Sequence, residues 1–256
     1  MQNHADLLNG LNSEQFKAVT YNDGSLLVLA GAGSGKTKVL TTRVAWLIRT
    51  QYLGISEVLA VTFTNKAARE MLNRVGSLLQ TDSRYMWVGT FHSIALRLLR
   101  AHHQEAGLPA TFQIIDSGEQ QSLIKRLIKQ RGLDEERYPA KEIQSYINYQ
   151  KEQGLRSAQL SPDNLRTQHW LEIYTLYEES CQRDGLVDFT ELLLRSYELL
   201  SMNDVLLQRY QQQFKHILVD EFQDTNQLQY LWLKILVGAK GKIFAVGDDD
   251  QSIYSF

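Results

Sequence analysis

A single cysteine, Cys181, in 256 residues rules out an internal disulfide framework, and a reducing cytoplasm is the compartment that fits such a chain. No zinc site is expected, because His102 and His103 are adjacent rather than one helical turn apart. With only 3 prolines and 16 glycines as breakers, the long intervening stretches are rich in Leu, Gln, Glu, Lys and Arg, so helix should exceed strand. Long apolar runs are missing. The stretch 25–32 is far too short to span a bilayer, and neither a signal peptide nor a membrane anchor is expected. Nor does one charge dominate: 27 Lys and Arg stand against 29 Asp and Glu, with a pI near 6.3. That balance excludes a basic coat for nucleic acid and confines any DNA contact to a local surface. Repeats of solenoid period and low-complexity tracts are also lacking.

What is present begins with enough apolar residue, 43%, for one large domain or two modest ones. Leu26, Leu27, Val28 and Leu29 form a short apolar run ending in a glycine cluster, and 36–50 then has helical periodicity through Val39, Leu40, Val44, Leu47 and Ile48. Strand, loop and helix follow in that order. A second run at 58–62 precedes a helical stretch at 65–79, and the runs 85–88, 217–219 and 243–246 are short enough to be buried strands. The pattern predicts an α/β domain with a parallel sheet. Between about 93 and 214 strand signals mostly vanish and amphipathic segments take over at 120–131, 140–153, 163–184 and 189–201. An all-helical subdomain at 93–214 is therefore expected, interrupting an α/β domain made of 1–92 and 215–256. The alternative is a single domain with long helices on one face.

The segment Ala30, Gly31, Ala32, Gly33, Ser34, Gly35, Lys36, Thr37 falls where strand becomes helix, as a phosphate-binding loop requires. Glycines let backbone amides turn inward around phosphate oxygens, and the helix N-terminus adds its positive dipole end. Lys36 reaches the β- and γ-phosphates, and Thr37 offers a hydroxyl to Mg²⁺. The competing reading is a glycine-rich turn with an incidental Gly-Lys-Thr. A nucleoside triphosphatase also needs an acidic pair at the end of a buried strand, and Asp220-Glu221 follows Ile217-Leu218-Val219. Asp220 would hold Mg²⁺ and Glu221 would orient and deprotonate the attacking water. Alone, two such carboxylates would be a solvated strand end. The run Asp248-Asp249-Asp250 lacks the ligand ladder of a calcium loop.

Residues 219–225, Val-Asp-Glu-Phe-Gln-Asp-Thr, and 246–254, Val-Gly-Asp-Asp-Asp-Gln-Ser-Ile-Tyr, resemble helicase motifs II and III of the superfamily 1 DNA helicases of the UvrD/Rep/PcrA type. Residues 11–15 resemble the Q motif, 61–68 motif Ia and 88–93 motif Ib, so the resemblance runs from residue 11 to the last. It implies a RecA-like P-loop NTPase fold and an ATP-dependent 3′-to-5′ helicase or translocase of repair and replication. ATP and Mg²⁺ are the implied cofactors, and single-stranded DNA and single-strand/double-strand junctions the implied partners. A second RecA-like domain would lie beyond this chain, with the arginine finger and the tyrosine that stacks on adenine. By the same resemblance Gln15 would read adenine, Lys38 and Arg74 would contact nucleotide, and Gln251 would sense the γ-phosphate. Phe63, Tyr254 and Phe256 would stack on bases, while Thr64, Asn65, Thr90 and His92 would meet phosphate or sugar. Two other readings stay open: a non-catalytic ATP- and DNA-binding module, and the helicase half of a RecB- or AddA-type recombination nuclease.

Overall fold

A computed structural model describes residues 5–50 and 53–248. The chain runs α1 (Ala5–Leu8), α2 (Ser13–Thr20), β1 (Leu26–Leu29), α3 (Lys36–Thr50), β2 (Val58–Thr62), α4 (Asn65–Leu79), β3 (Trp87–Thr90) and α5 (Phe91–Ala101). There follow β4 (Gln113–Ile114), α6 (Ser117–Gln130), α7 (Ala140–Glu152), α8 (Leu165–Asp184), β5 (Leu186–Val187), α9 (Phe189–Met202) and α10 (Asp204–Gln213). The described chain closes with β6 (His216–Val219), α11 (Gln227–Val237) and β7 (Lys242–Gly247). It divides into two compact units, one from the described parts of Met1–Ile94, Asn203–Thr225 and Leu233–Phe256, the other from Ala95–Met202 and Asn226–Trp232.

The first unit holds the expected parallel sheet, in the order β1-β7-β6-β2-β3. Parallel neighbours need crossovers that return the chain over a face of the sheet, so the inner strands carry apolar side chains on both faces. The inner strands β2 and β6 are buried throughout, as is β3 at the far end of the strand order. At the sheet edge β1 alternates instead, and Leu27 and Leu29 are exposed. Helix α3 seats Val39, Leu40, Val44 and Leu47 against Val58 and Ala60 of β2, Met71 and Val75 of α4, Leu218 of β6, and Phe244 and Val246 of β7. Each fully buried side chain of this kind stabilises the unit by roughly 1.5–3 kcal/mol. Arg43 of α3 is buried among them; its Nη1 donates to Val19 O at 2.7 Å and its guanidinium lies 4.7 Å from the centre of the Phe244 ring. Burial lowers its pKa to about 10, so it stays charged at neutral pH.

Register decides where functional residues gather. Leu29 pairs with Gly247, Val219 with Ala245, Val61 with Val219, and Thr62 with Thr90. All five strands therefore finish on one edge of the sheet, the edge where ligands bind in open α/β folds. The apolar run 85–88 is not wholly strand. Asp82 accepts the N–H of Arg84 and turns Ser83–Tyr85 into a short 3₁₀ turn, leaving β3 to start at Trp87 and Tyr85 exposed.

The second unit has its own core, built from Leu123, Ile124 and Leu127 of α6, Ile143 and Ile147 of α7, and Ile173, Tyr174 and Tyr177 of α8. The expectation of an all-helical segment needs correction here, because β4 and β5 pair in parallel as a two-stranded sheet. Strands of two residues are too short to leave a period in the sequence. The boundary differs as well: α10 belongs with the sheet-bearing unit, and 226–232 with the helical one. A network of charges is enclosed in the helical unit. Lys151 Nζ donates to Asp188 at 2.7 Å and meets Glu191 at 2.9 Å, and Arg156 binds Glu178, Glu191 and Glu198. Burial alone would raise the Glu191 pKa, but Lys151, Arg156 and Arg195 outweigh it and hold the carboxylate well below its usual range. No helix among the described residues is long and apolar enough to cross a membrane.

Candidate nucleotide site and the adjoining strand edge

The chain from Ala30 to Gly35 must leave β1 and enter α3 without a regular partner strand. Gly33 and Gly35 make this possible with φ of +77° and +89°, values that cost side-chained residues on the order of 1 kcal/mol or more. Gly35 also lacks room: a Cβ there would lie 2.8 Å from Gln15 Nε2. Ala30 N–H donates to Gly247 O at 3.0 Å, continuing the β1–β7 ladder, and Ser34 N–H donates to Gly31 O at 3.3 Å. Lys36 opens α3 and turns its Nζ back to Ala30 O at 2.8 Å and to Asp248 Oδ2 at 2.9 Å. Both partners of that ion pair are shielded, with side-chain exposures of 10% and 2%. Thr37, partly exposed, follows in the first turn.

Two strands away, Asp220 N–H donates to Val61 O at 3.0 Å and extends β6 by one residue. The chain then breaks sharply, because Glu221 sits in the left-handed region at φ 48°, ψ 49°. A non-glycine residue there is strained, and such strain clusters at functional sites. The Glu221 carboxylate accepts from Gln223 Nε2 at 2.9 Å, and Gln223 Oε1 in turn accepts the Asp248 N–H at 3.0 Å. Asp220 is buried, and burial together with the neighbouring Glu221 charge raises its pKa to about 6, against the opposing pull of the Glu221 N–H and Lys36. A desolvated carboxylate beside a second one favours a cation, and a hydroxyl at Thr37 with a carboxylate at Asp220 is the oxygen donor set that suits Mg²⁺ shared with phosphates.

Gln15 lies in the first turn of α2. Its backbone N–H donates to Asn12 Oδ1 at 2.8 Å and its Oε1 accepts from Asn12 N–H at 3.2 Å, a capping box that starts the helix. Its Nε2 donates to Ser34 O at 2.9 Å, which ties α2 to the glycine loop. Lys38 Nζ donates to Gly10 O at 2.5 Å. Lys38 and Arg74 line one pocket of about 440 Å³ with Thr41 and Asn73, and Arg74 pairs there with Glu70 one turn earlier.

At the other half of the strand edge, Phe63 follows β2 and is half-buried, its ring edge-on to Phe91 at 5.5 Å. Thr64 caps α4 by accepting the Ala67 N–H at 3.1 Å, leaving Asn65 exposed in the first turn. Thr90 caps α5 in the same way, accepting from Ser93 N–H at 3.2 Å. His92 is partly buried, and desolvation lowers its pKa, so it is neutral at pH 7. The structure thus gathers Lys36, Thr37, Asp220 and Glu221 at the ends of β1 and β6, and Phe63, Thr64, Asn65, Thr90 and His92 at those of β2 and β3. Gln251, Tyr254 and Phe256 lie outside the described residues.

A family profile described as the UvrD/REP helicase N-terminal domain matches residues 11–256. The chain belongs to the UvrD/REP helicase family. The chain is 53% identical over 261 residues to a protein named DNA helicase II from Haemophilus influenzae, covering 100% of this chain and 36% of that protein. It is likewise 53% identical over 251 residues to DNA helicase II of Escherichia coli, covering 98% and 35%. A protein named ATP-dependent DNA helicase PcrA from Leuconostoc citreum is 42% identical over 253 residues, covering 98% and 34%. The chain spans about a third of the length of these relatives. Within this UvrD/REP member, Asp248 and Gln223 tie expected site residues together without being among them, and Arg43 ties α3 to α2 through Val19 O. Asp248 and Gln223 fall inside the motif II and III segments, but their hydrogen bonds depend on β7 lying between β1 and β6, which no sequence spacing reveals. Arg43 reads from the sequence as one more polar residue on a helix.

Proposed function

We propose that this chain binds Mg²⁺-ATP at the ends of β1, β7 and β6 and a single DNA strand at the ends of β2 and β3. On this reading it is the nucleotide-binding part of a 3′-to-5′ DNA helicase that works at single-strand/double-strand junctions in repair and replication. The observation that carries the reading is the strand order. It sets the glycine loop, the acidic pair and the threonine-capped helices α4 and α5 side by side on one sheet edge. Lys36 exchanges its present partners for the β- and γ-phosphate oxygens, and the amides of Gly33 to Thr37 close around them. Thr37 and Asp220 would hold Mg²⁺, which when bound would supply positive charge against the charge that develops on the transferred phosphoryl group. Glu221 takes the proton of the attacking water. Gln15 uses one donor and one acceptor within the protein and keeps one of each, the pair an adenine edge requires. Lys38 and Arg74 flank the nucleotide from their shared pocket, and Gln251 reports the γ-phosphate.

On the DNA side Phe63 offers a face to a base. The hydroxyls of Thr64 and Thr90 each accept a helix N–H and can still donate their own proton to a phosphate oxygen. Asn65 and His92 add polar contacts, and Tyr254 and Phe256 add stacking. The test is a titration of a fluorescent ATP analogue with and without Mg²⁺, paired with ATP turnover in the presence and absence of single-stranded DNA. Saturable, Mg²⁺-dependent binding is expected, with weak turnover by the 256-residue chain; the absence of nucleotide binding sinks the reading.

A further inference from the structure

We propose that Gln223 positions the carboxylate of Glu221 and couples it to the Lys36–Asp248 pair, so that the base and the phosphate loop respond as one unit. This rests on the nucleotide reading above and specifies how its base is held. Gln223 lies in the 3₁₀ turn Phe222–Asp224 that follows the strained Glu221. Its Nε2 donates to Glu221 Oε2 at 2.9 Å while its Oε1 accepts the Asp248 N–H at 3.0 Å. A primary amide is suited to that double task, because it presents a donor to a carboxylate and an acceptor to an N–H at once. Asp248 then takes Lys36 Nζ at 2.9 Å, and Lys36 also donates to Ala30 O at 2.8 Å. The connected path therefore runs from the end of β6, across β7, to the loop after β1.

Gly247 bears on the same amide. A Cβ on this residue would lie 3.0 Å from Gln223 Oε1 and 3.7 Å from Gln223 N. A side chain at 247 would press on the amide oxygen that accepts the Asp248 N–H and oblige it to shift. Glu221 stands past the end of β6 in the left-handed region, and its carboxylate accepts from Gln223 Nε2 at 2.9 Å. A triphosphate that draws Lys36 away from Asp248 alters the partner of the residue whose N–H holds Gln223, and the change reaches Glu221 through a single side chain.

The test uses the 256-residue chain at pH 8 and compares Gln223→Glu, Gln223→Met and Gly247→Ala, each checked for cooperative unfolding. Hydrogen exchange at the Asp248 amide is followed by NMR, ATP affinity by titration, and hydrolysis by single turnover with protein in excess. Gln223→Glu keeps an acceptor for the Asp248 N–H but turns an ionised group on Glu221. Its amide protection and ATP affinity should stay within about threefold, while hydrolysis falls about 10- to 100-fold. Gln223→Met loses both bonds, and Gly247→Ala crowds the amide; in each, exchange at Asp248 should accelerate about tenfold or more. Undiminished hydrolysis in Gln223→Glu, or unchanged exchange in Gln223→Met, overturns the inference. Failure of the unsubstituted chain to bind ATP would overturn the nucleotide reading instead, and the exchange data would still decide whether Gln223 holds Asp248.

Discussion

Lys36 has one role seen in the structure and one proposed, and a substitution there should separate them. Its ammonium neutralises the buried Asp248 and, by proposal, the triphosphate. Lys36→Ala should therefore weaken Mg²⁺-ATP binding by several kcal/mol. It should also destabilise the fold by about 3 kcal/mol, since the buried Asp248 loses its ion pair with Lys36. The double variant Lys36→Ala, Asp248→Asn separates the effects: urea unfolding should show most of the stability regained, while nucleotide titration stays weak. Full recovery of binding in the double variant would deny Lys36 its phosphate role. Glu221 combines a strained backbone with the proposed role of base. Glu221→Gln preserves the outline of the side chain and should leave nucleotide affinity intact while lowering turnover by about 10²-fold or more. Glu221→Gly relieves the left-handed strain at φ 48° and should raise stability by about 1 kcal/mol in thermal unfolding while abolishing turnover. A glycine variant that loses stability would mean the strain is not stored there.

Strand β6 carries an opposed pair of titrating groups at its two ends. His216 is buried and its pKa falls to about 4 by desolvation and the nearby Arg43 and Lys242 charges, whereas Asp220 rises to about 6. As pH falls from 6.5 to 4 the unfolded chain protonates its histidine before the folded one does, so His216 subtracts stability over that window. Asp220 does the reverse, because between about 6 and 3.8 the folded chain holds a proton that the unfolded chain does not. Asp220→Asn removes the compensating term, and urea midpoints at pH 7 and pH 5 should show the variant losing about 1 kcal/mol more on acidification than the parent. Equal losses would mean Asp220 titrates normally. Such behaviour is invisible in the sequence, which shows His-Ile-Leu-Val-Asp as an apolar run ending in an acid. Legible there were the five sheet strands, with β3 displaced towards the C-terminus at both ends, and helices whose apolar period is long, such as α3, α6 and α8. The glycine loop was legible too, because glycine, lysine and threonine at a strand-to-helix junction have few other uses. Helix α10 was absorbed into the helical stretch before it, and β4 and β5 left no period at all. Strand order was out of reach, and with it every contact that β7 makes between β1 and β6.

Across the whole molecule the charge is nearly balanced, 27 basic against 29 acidic residues, so no broad field draws a polyanion to the surface. The proposed DNA edge reinforces this. Phe63, Thr64, Asn65 and Thr90 are uncharged, and burial keeps His92 neutral at pH 7; the adjacent exposed cation is Lys66. Affinity must then come from base stacking, roughly 1–3 kcal/mol per base, and from hydrogen bonds to phosphate rather than from released counterions. The 256-residue chain spans about a third of the length of its relatives, so any grip supplied by the remaining length is not available to it when studied on its own. Fluorescence anisotropy on a labelled oligothymidine should accordingly show weak binding with a shallow salt dependence. Each neutralised phosphate contributes a slope of about −0.7 for single strands, so one or two cations predict less than a tenfold loss between about 50 and 200 mM salt. Phe63→Ala should weaken binding at both salt concentrations by a similar factor, because stacking is not screened. A slope steeper than about −3 would require four or more neutralised phosphates, and the single strand would then have to lie on a more basic surface than the ends of β2 and β3 provide.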